Sequence, residues 1–467
     1  MNPRELLQRA ERARARTAAK AAARRQVVRD VPRSGEILLY ASAAAFFSLV
    51  LLAPFMLIVE VSADQVQLTG EGSSARQVGY LIILAASIFA ALRFGEGWRA
   101  LLLPWPMLLA LGWCWLSLAW AVNPDIGVRR LVLTTIAVWN TFIIVQTAGY
   151  ERTMNVLRAL FVVLLAINFI TVLVDPAVGI HLAKPNGLGN ALIGNWRGLM
   201  GHKNVAGAVC ALTVILFMLD GKRINTVLRI AVIVAAGFFL FKAQSKTSAG
   251  MLPIALICAW IFQSYDEKIR KFAIPLIMFF TALGWFLYSS YTSVVLANYL
   301  NPNFFTGRGQ IWSAMLRYAG DNLTYGSGFG SFWNVGADSP IYEYGQGWIS
   351  GLATGHNGYL DLLVSVGLPG LLIIVFATII WPIWRLLVSR ILPERGAVAV
   401  AFLLFCMGHN ITESGLLERD AIVGVIMMIA VAIAQNWERI GVPVVQKASG
   451  ADVFAILARR RADEQTA

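Results

Sequence analysis

A chain of 467 residues with 58% hydrophobic and only 14% charged side chains lacks the charge, roughly 25%, that a soluble domain carries. Its apolar residues recur in runs of membrane length, which makes it a polytopic membrane protein and excludes a soluble globular enzyme. The runs are continuous rather than alternating, so they read as helices and not as the strands of a barrel.

The net charge of +13 would point to nucleic acid in a soluble protein. Here the basic residues sit in short loops and at the two ends, which is the pattern that fixes membrane topology. The four cysteines, Cys114, Cys210, Cys258 and Cys406, all fall inside apolar runs. None is spaced as a metal ligand, and a structural disulfide is not expected.

Residues 1–35 hold ten basic side chains, nine of them arginine, against Glu5, Glu11 and Asp30. No signal-peptide core or cleavage site follows. The stretch reads as a basic cytoplasmic arm, either lying near anionic headgroups or acting only as a topology anchor. A nucleic-acid partner is disfavoured, because no aromatic residue accompanies the arginines.

Twelve spans are expected next, over 37–59, 78–92, 101–120, 131–149, 156–174, 204–219, 227–241, 251–262, 272–289, 371–387, 397–407 and 421–434. The spans and their loops form one membrane domain over 36–437, and 438–467 is a cytoplasmic tail. The basic arm places the N-terminus inside, and alternate loops agree through Arg93 and Arg99, Arg152 and Arg158, Lys222 and Arg223, Lys268, Arg270 and Lys271, and Arg385, Arg390 and Arg395. An even number of spans returns the C-terminus to the same side.

The opposite face receives all four histidines, His181, His202, His356 and His409, together with cations that topology does not require: Arg129, Arg130, Lys184, Arg197, Lys203, Lys242, Lys246, Arg308 and Arg317. Such exceptions point to an anionic ligand on that face; contacts with lipid headgroups are the plainer alternative. The long loop 290–370 lies on the same side. It opens on Thr306, an expected helix cap, followed by an amphipathic helix whose apolar face carries Ile311, Trp312, Met315, Leu316 and Ala319. Arg308 falls in that helix's first turn, where the helix dipole repels a cation unless an anion binds beside it.

Further along, Gly326, Gly328 and Gly330 read as a flexible turn rather than a dinucleotide fingerprint, since no strand precedes them. His356 starts a short helix that Gly367-Leu368-Pro369-Gly370 interrupts before the next span. A neutral histidine there can accept a proton from a sugar hydroxyl. Asp361, five residues on, lies about 140° around the helix and is not the obvious carboxylate to orient it. In the shorter loops, Arg197, His202 and Lys203 with Gly198 and Gly201 can wrap a phosphate, with Asn204 expected to cap the following span. Lys246 lies among hydroxyls at another helix start. Glu413, at a span end, is costly in a membrane unless it faces a cavity or pairs with an arginine.

Taken together, Trp196-Arg197-Gly198…Gly201-His202-Lys203-Asn204, Ser245-Lys246-Thr247, Thr306-Gly307-Arg308…Ile311-Trp312, Gly328-x-Gly330, His356-Asn357-x-x-Leu360…Gly367-x-x-Gly370 and Asn410-x-x-Glu413-Ser414 resemble the O-antigen ligase and Wzy-type polymerase superfamily. Within it they look most like the exopolysaccharide polymerases of the ExoQ type. The resemblance covers roughly residues 37–437.

The resemblance implies an all-α, GT-C-like fold in the bacterial inner membrane, with both termini cytoplasmic and the active site periplasmic. It implies a glycosyltransferase, independent of cofactor and metal, that takes undecaprenyl-diphosphate-linked oligosaccharide as both donor and acceptor. Membrane lipids and a chain-length regulator or exporter are further implied partners. Carried over, Arg197, Lys203, Lys246 and Arg308 bind the diphosphate, with Arg129 and Arg130 as weaker additions. His356 is the base, Arg308 and Glu413 join it in catalysis, and His202, Asn357 and Tyr359 serve the acceptor. Ligation to a lipid A-core, glycosylation of a protein hydroxyl and, from another class, lipid-linked oligosaccharide transport remain open readings of the same residues.

Overall fold

The twelve apolar stretches lie on helices over their described residues except at Leu102, Leu103, Pro104 and Ala421; the computed structural model describes residues 33–51, 74–94, 97–182, 192–221, 224–297, 308–345, 347–389, 391–418 and 421–435. Most of the basic arm, the tail, Lys184, Lys222, Arg223, Thr306, Gly307 and Arg390 lie outside those residues. Among the described residues there is no strand, only an isolated bridge between Ile180 and Trp196. Among the described residues, six helical elements are long and apolar enough to cross a membrane. The protein is therefore an all-α membrane protein, its backbone donors and acceptors satisfied within each helix as a hydrocarbon environment requires.

The helices are α1 (Arg33–Leu51), α2 (Ser74–Phe94), α3 (Trp105–Leu116), α4 (Pro124–Val174), α5 (Lys203–Leu219), α6 (Thr226–Ala243), α7 (Lys246–Ser264), α8 (Glu267–Ala297), α9 (Arg308–Asp321), α10 (Gly358–Val388), α11 (Pro393–His409) and α12 (Ile422–Gln435). Local sequence sets their starts. Asn123 caps α4 by accepting from the Ile126 amide at 3.2 Å, and Pro124 follows at the position where a missing N–H costs nothing. Asn225 and Asn357 cap α6 and α10 in the same way. The tightest packing joins α7 to α11, α6 to α5 and α11 to α12; α1, α2 and α12 lean on α4. Small residues let α11 sit deep in this core, where Ala397, Ala399, Ala401 and Gly408 are buried.

The expected spans 131–149 and 156–174 are two helices that follow each other without a loop, and α4 denotes the pair. Together they cover 51 residues and are divided at Gly149, whose φ of 76° and ψ of 173° turn the chain sharply before the second helix starts. The carbonyls exposed by that kink are met locally, Gly149 O by the Thr153 hydroxyl at 2.8 Å and Ala148 O by Arg152 at 3.3 Å. No loop is then needed. A comparable break lies in α10, where Gly367 has a φ of 70°. The first half, 358–366, belongs with the preceding loop and the second half with the bundle. A π-type turn at Phe376–Ile380 follows.

The segment between α8 and α10 has its own core. Ile311, Ala314, Met315, Tyr318 and Ala319 of α9 are buried against Phe332, Trp333, Ile341, Ile349 and Val364. The amphipathic face expected on this helix is present except at Leu316, which is exposed; Ala314 and Tyr318 complete it. The glycine turn expected to be flexible is instead docked. Gly326, Gly328 and Gly330 all have positive φ, and a Cβ on Gly328 would lie 2.5 Å from Ala121.

Charged contacts separate into two ends of the bundle. At one end Arg152 meets Glu36 at 2.6 Å and Arg395 meets Glu151 at 3.0 Å. Arg158 pairs with Asp220, and Arg270 donates to Ser389 O at 2.7 Å. The arginines all come from loops that the charge pattern assigns to one side. At the other end meet the loops that carry the histidines.

The break in α10 yields a stability prediction. A Cβ on Gly367 would lie 2.1 Å from Thr324 O, at a φ that L-residues rarely adopt. Gly367→Ala is expected to destabilise the protein by about 2 kcal/mol or more, read as a lower thermal midpoint in detergent. An unchanged midpoint would mean that this kink is not held by the contact.

Candidate functional site

Glu413 stands at the centre of the histidine-bearing end. It lies in the short connection between α11 and α12, and its side chain is only 14% exposed. Its Oε1 accepts from Arg308 Nη2 and from Asn204 Nδ2. Its Oε2 lies 3.3 Å from His356 Nδ1. Arg308 also donates to the carbonyl of Thr412. One carboxylate thus joins the first turn of α9, the start of α5 and the residue ahead of the α10 cap.

Burial alone would push the Glu413 carboxyl up. The hydrogen bond from His356 and the charge of Arg308 outweigh it and hold the carboxyl well below the usual range. Against that carboxylate a neutral His356 carries its proton on Nδ1, which leaves Nε2 with the lone pair. His356 has a φ of 50°, unusual for a residue other than glycine. Strain of this kind persists only where the surroundings enforce it.

The surroundings here are specific. Asp361 accepts from the amide of Gly355 at 3.0 Å and from Trp333 Nε1 at 2.8 Å, and its other oxygen takes the Ser414 hydroxyl. It therefore ties down the residue before His356 and the residue after Glu413. As expected, it does not touch the imidazole itself. Gly358 N donates to both Asn410 O and Glu413 O, at 2.9 and 3.0 Å. Trp312 Nε1 donates to Gly355 O at 2.9 Å, and the Thr247 and Thr412 hydroxyls share a hydrogen bond.

The histidine-lysine loop closes the other side. His202, not Asn204, caps α5: its Nδ1 accepts from the Asn204 amide at 3.2 Å. The Asn204 side chain is thereby released to reach Glu413. His181 Nε2 accepts from the Lys203 amide at 3.3 Å. The His181 and His202 rings are 5.5 Å apart, and the His202 and His356 rings 6.5 Å apart. Lys203 Nζ donates to Gln244 O at 3.0 Å and shares its surroundings with Lys246 and Arg308. The loop is anchored from inside the bundle, since buried Asn168 of α4 accepts from Leu199 N at 3.0 Å.

Burial is the main cause that lowers the His202 pKa to about 4, and nearby His181, His356 and Arg308 add to it; Glu413 opposes.

The structure thus gathers Arg308, Glu413, His356, His202, Lys203 and Lys246 at one end. Other sequence candidates lie apart or are spent on framework. Arg130 donates to the carbonyls of Gly330, Trp333 and Asn334 at 2.6, 2.7 and 3.1 Å, holding the glycine turn. Arg129 is exposed and bonds Asp125 O within its own helix. Arg197 Nε donates to Val178 O at 2.8 Å. Asn357 caps α10, and the Tyr359 hydroxyl donates to Met407 O at 2.9 Å. Sequence reasoning passed over His181, the Asn204 side chain and the positioning by Asp361. The available signal was that all four histidines fall on one predicted side; buried His409, four residues before Glu413, is the last of them.

Fold and site together define the class: an all-α membrane protein with a carboxylate set among arginine, lysine and histidine at one end of its bundle. No protein-family model matches this chain, and no curated protein matches it.

Two outcomes follow. Glu413→Gln leaves partly buried Arg308 without its counter-charge and is expected to cost about 2–4 kcal/mol, measured by thermal unfolding. On acidification, unfolded His202 takes a proton at its ordinary 6.5, while the folded residue waits until about 4. The unfolded chain then holds more protons in that window, so stability falls with falling pH between those values. Glu413, with its folded pKa depressed, adds a further loss below its ordinary value of 4.5. A plot of thermal midpoint against pH should be flatter between 6.5 and 4 in His202→Asn.

Proposed function

We propose that the protein is a polysaccharide polymerase of the bacterial inner membrane, joining undecaprenyl-diphosphate-linked oligosaccharide repeats at the periplasmic face. The observation that carries this reading is the convergence of His356, Glu413 and Arg308 from three separate loops, with Lys203 and Lys246 beside them. The ordered motifs in the sequence support it. In this reading the apolar stretches are twelve spans of a GT-C-like fold, the charge pattern puts both termini in the cytoplasm, and the histidine-bearing end is periplasmic.

The proposed chemistry is one displacement. The acceptor is a sugar hydroxyl of one lipid-linked repeat, and the donor is the anomeric carbon of another. His356 Nε2 takes the hydroxyl proton as the oxygen attacks that carbon. Glu413, hydrogen-bonded to Nδ1, fixes the tautomer and stabilises the imidazolium that forms. The bond between the anomeric carbon and the diphosphate oxygen breaks, and its electron pair leaves with the lipid diphosphate. Lys203, Lys246 and Arg308 neutralise that growing charge in a site partly shielded from water. The proton passes from the imidazolium to the departing diphosphate or to solvent, which restores the base.

Purified protein in lipid vesicles, given undecaprenyl-diphosphate-linked repeats, should release undecaprenyl diphosphate and form longer chains. His356→Ala is expected to slow that release about a hundredfold or more. No release by the wild type would reject the enzyme reading and favour transport. In cells, deletion should abolish long polymer and leave single repeats. Long lipid-linked chains beside a bare lipid A-core would instead identify a ligase.

A further inference from the structure

Both histidines of the α5 loop have one ring nitrogen committed to a backbone amide. Lys203 N donates to His181 Nε2, and Asn204 N donates to His202 Nδ1. A backbone amide cannot surrender its hydrogen, so each of these nitrogens must keep a lone pair. The tautomers are then fixed by geometry: a neutral His202 carries its proton on Nε2. A proton cannot pass through such a ring, because entry at one nitrogen requires exit at the other. Neither histidine can relay a proton from His356.

His202 Nε2 has no partner among the described residues, and the ring is only half-buried. Its ring centre is 6.5 Å from that of His356. Hydrogen bonds to a hydroxyl are roughly 2.8 Å long, so two neighbouring hydroxyls of one sugar ring can be held between the two imidazoles. We propose that His202 is a specificity-determining residue, its Nε2–H donating to a second hydroxyl of the acceptor sugar beside the one that His356 deprotonates. This deepens the polymerase reading and rests on it for the identity of the sugar as acceptor.

The groups facing His202 fit a neutral donor. Glu413 comes from the α11–α12 connection, His181 from the segment after α4, His356 from ahead of α10 and Arg308 from α9. Three of the four are basic and oppose a further positive charge. The one carboxylate among them is already held by Arg308, Asn204 and His356. A neutral N–H donor also discriminates, since a partly buried donor left without its hydroxyl loses a hydrogen bond.

The test uses the full chain in lipid nanodiscs. Nitrogen-15 histidine spectra at pH 7, assigned by difference with His202→Asn, should show His202 neutral and protonated on Nε2; an imidazolium or the other tautomer overturns the proposal. The lipid-free repeat oligosaccharide of the host's own polymer is the binding probe. His202→Ala should weaken its binding about tenfold. His202→Gln, which restores an N–H at similar reach, should recover part of the loss. His202→Asn keeps the helix cap but is too short to donate, so it should match Ala if folding is not the cause.

No binding by the wild type, or equal binding by His202→Ala, overturns the proposal. In the transferase assay the acceptor KM should rise about tenfold with the acid limb of kcat/KM against pH unmoved; a moved limb would make His202 the titrating group and overturn it. Saccharide binding that depends on His202 without any release of lipid diphosphate would keep the donor role and reject only the polymerase reading.

Discussion

The Glu413 carboxylate is the contact on which the histidine-bearing end depends. An ionised carboxyl buried in a membrane protein is expensive unless its oxygens are satisfied. Here each oxygen is satisfied by a different element: Arg308 and Asn204 at Oε1, His356 near Oε2. The same bonds that stabilise the charge fix three loops relative to one another. No apolar contact could do this as specifically, because dispersion and burial are not directional.

Asp361 serves the same end by a different route. It never meets the imidazole, yet it fixes Gly355 before His356 and Ser414 after Glu413, with Trp333 as a third partner. Holding the neighbours of both residues from one buried carboxylate keeps His356 in a backbone conformation that it would not choose alone. The described part of the long loop also packs on a small core of its own, α9 against Phe332, Trp333, Ile341 and Ile349. Lower local polarity strengthens a charged contact.

The opposite end of the bundle is built on another principle. Arg152, Arg158 and Arg395 pair with Glu36, Asp220 and Glu151. There charge is neutralised pair by pair, and the helices are stapled by it. At the histidine-bearing end one carboxylate faces several cations and histidines, so positive character is left over. An excess of cations beside a bound carboxylate is what a transient anionic ligand needs.

The sequence alone determined the membrane class, the positions of the helices and the separation of charges into two ends. These follow from composition and from periodicity along the chain, which are local properties. It also pointed to Arg308, His356 and Glu413 one at a time: Arg308 and Glu413 as charges that a helix dipole or insertion makes costly, and His356 as a histidine at a helix start able to take a proton. What it could not show was their meeting, because residues 308, 356 and 413 are brought together by chain crossings of 48, 57 and 105 positions. Asn204 was read as a cap because caps are local; in the folded chain His202 takes that place and Asn204 turns to a carboxylate 209 positions away. The loop-free turn at Gly149 and the docked glycine turn were hidden for the same reason. Positive φ permits either a loop or a tight approach, and only the neighbours, supplied by the tertiary structure, decide which.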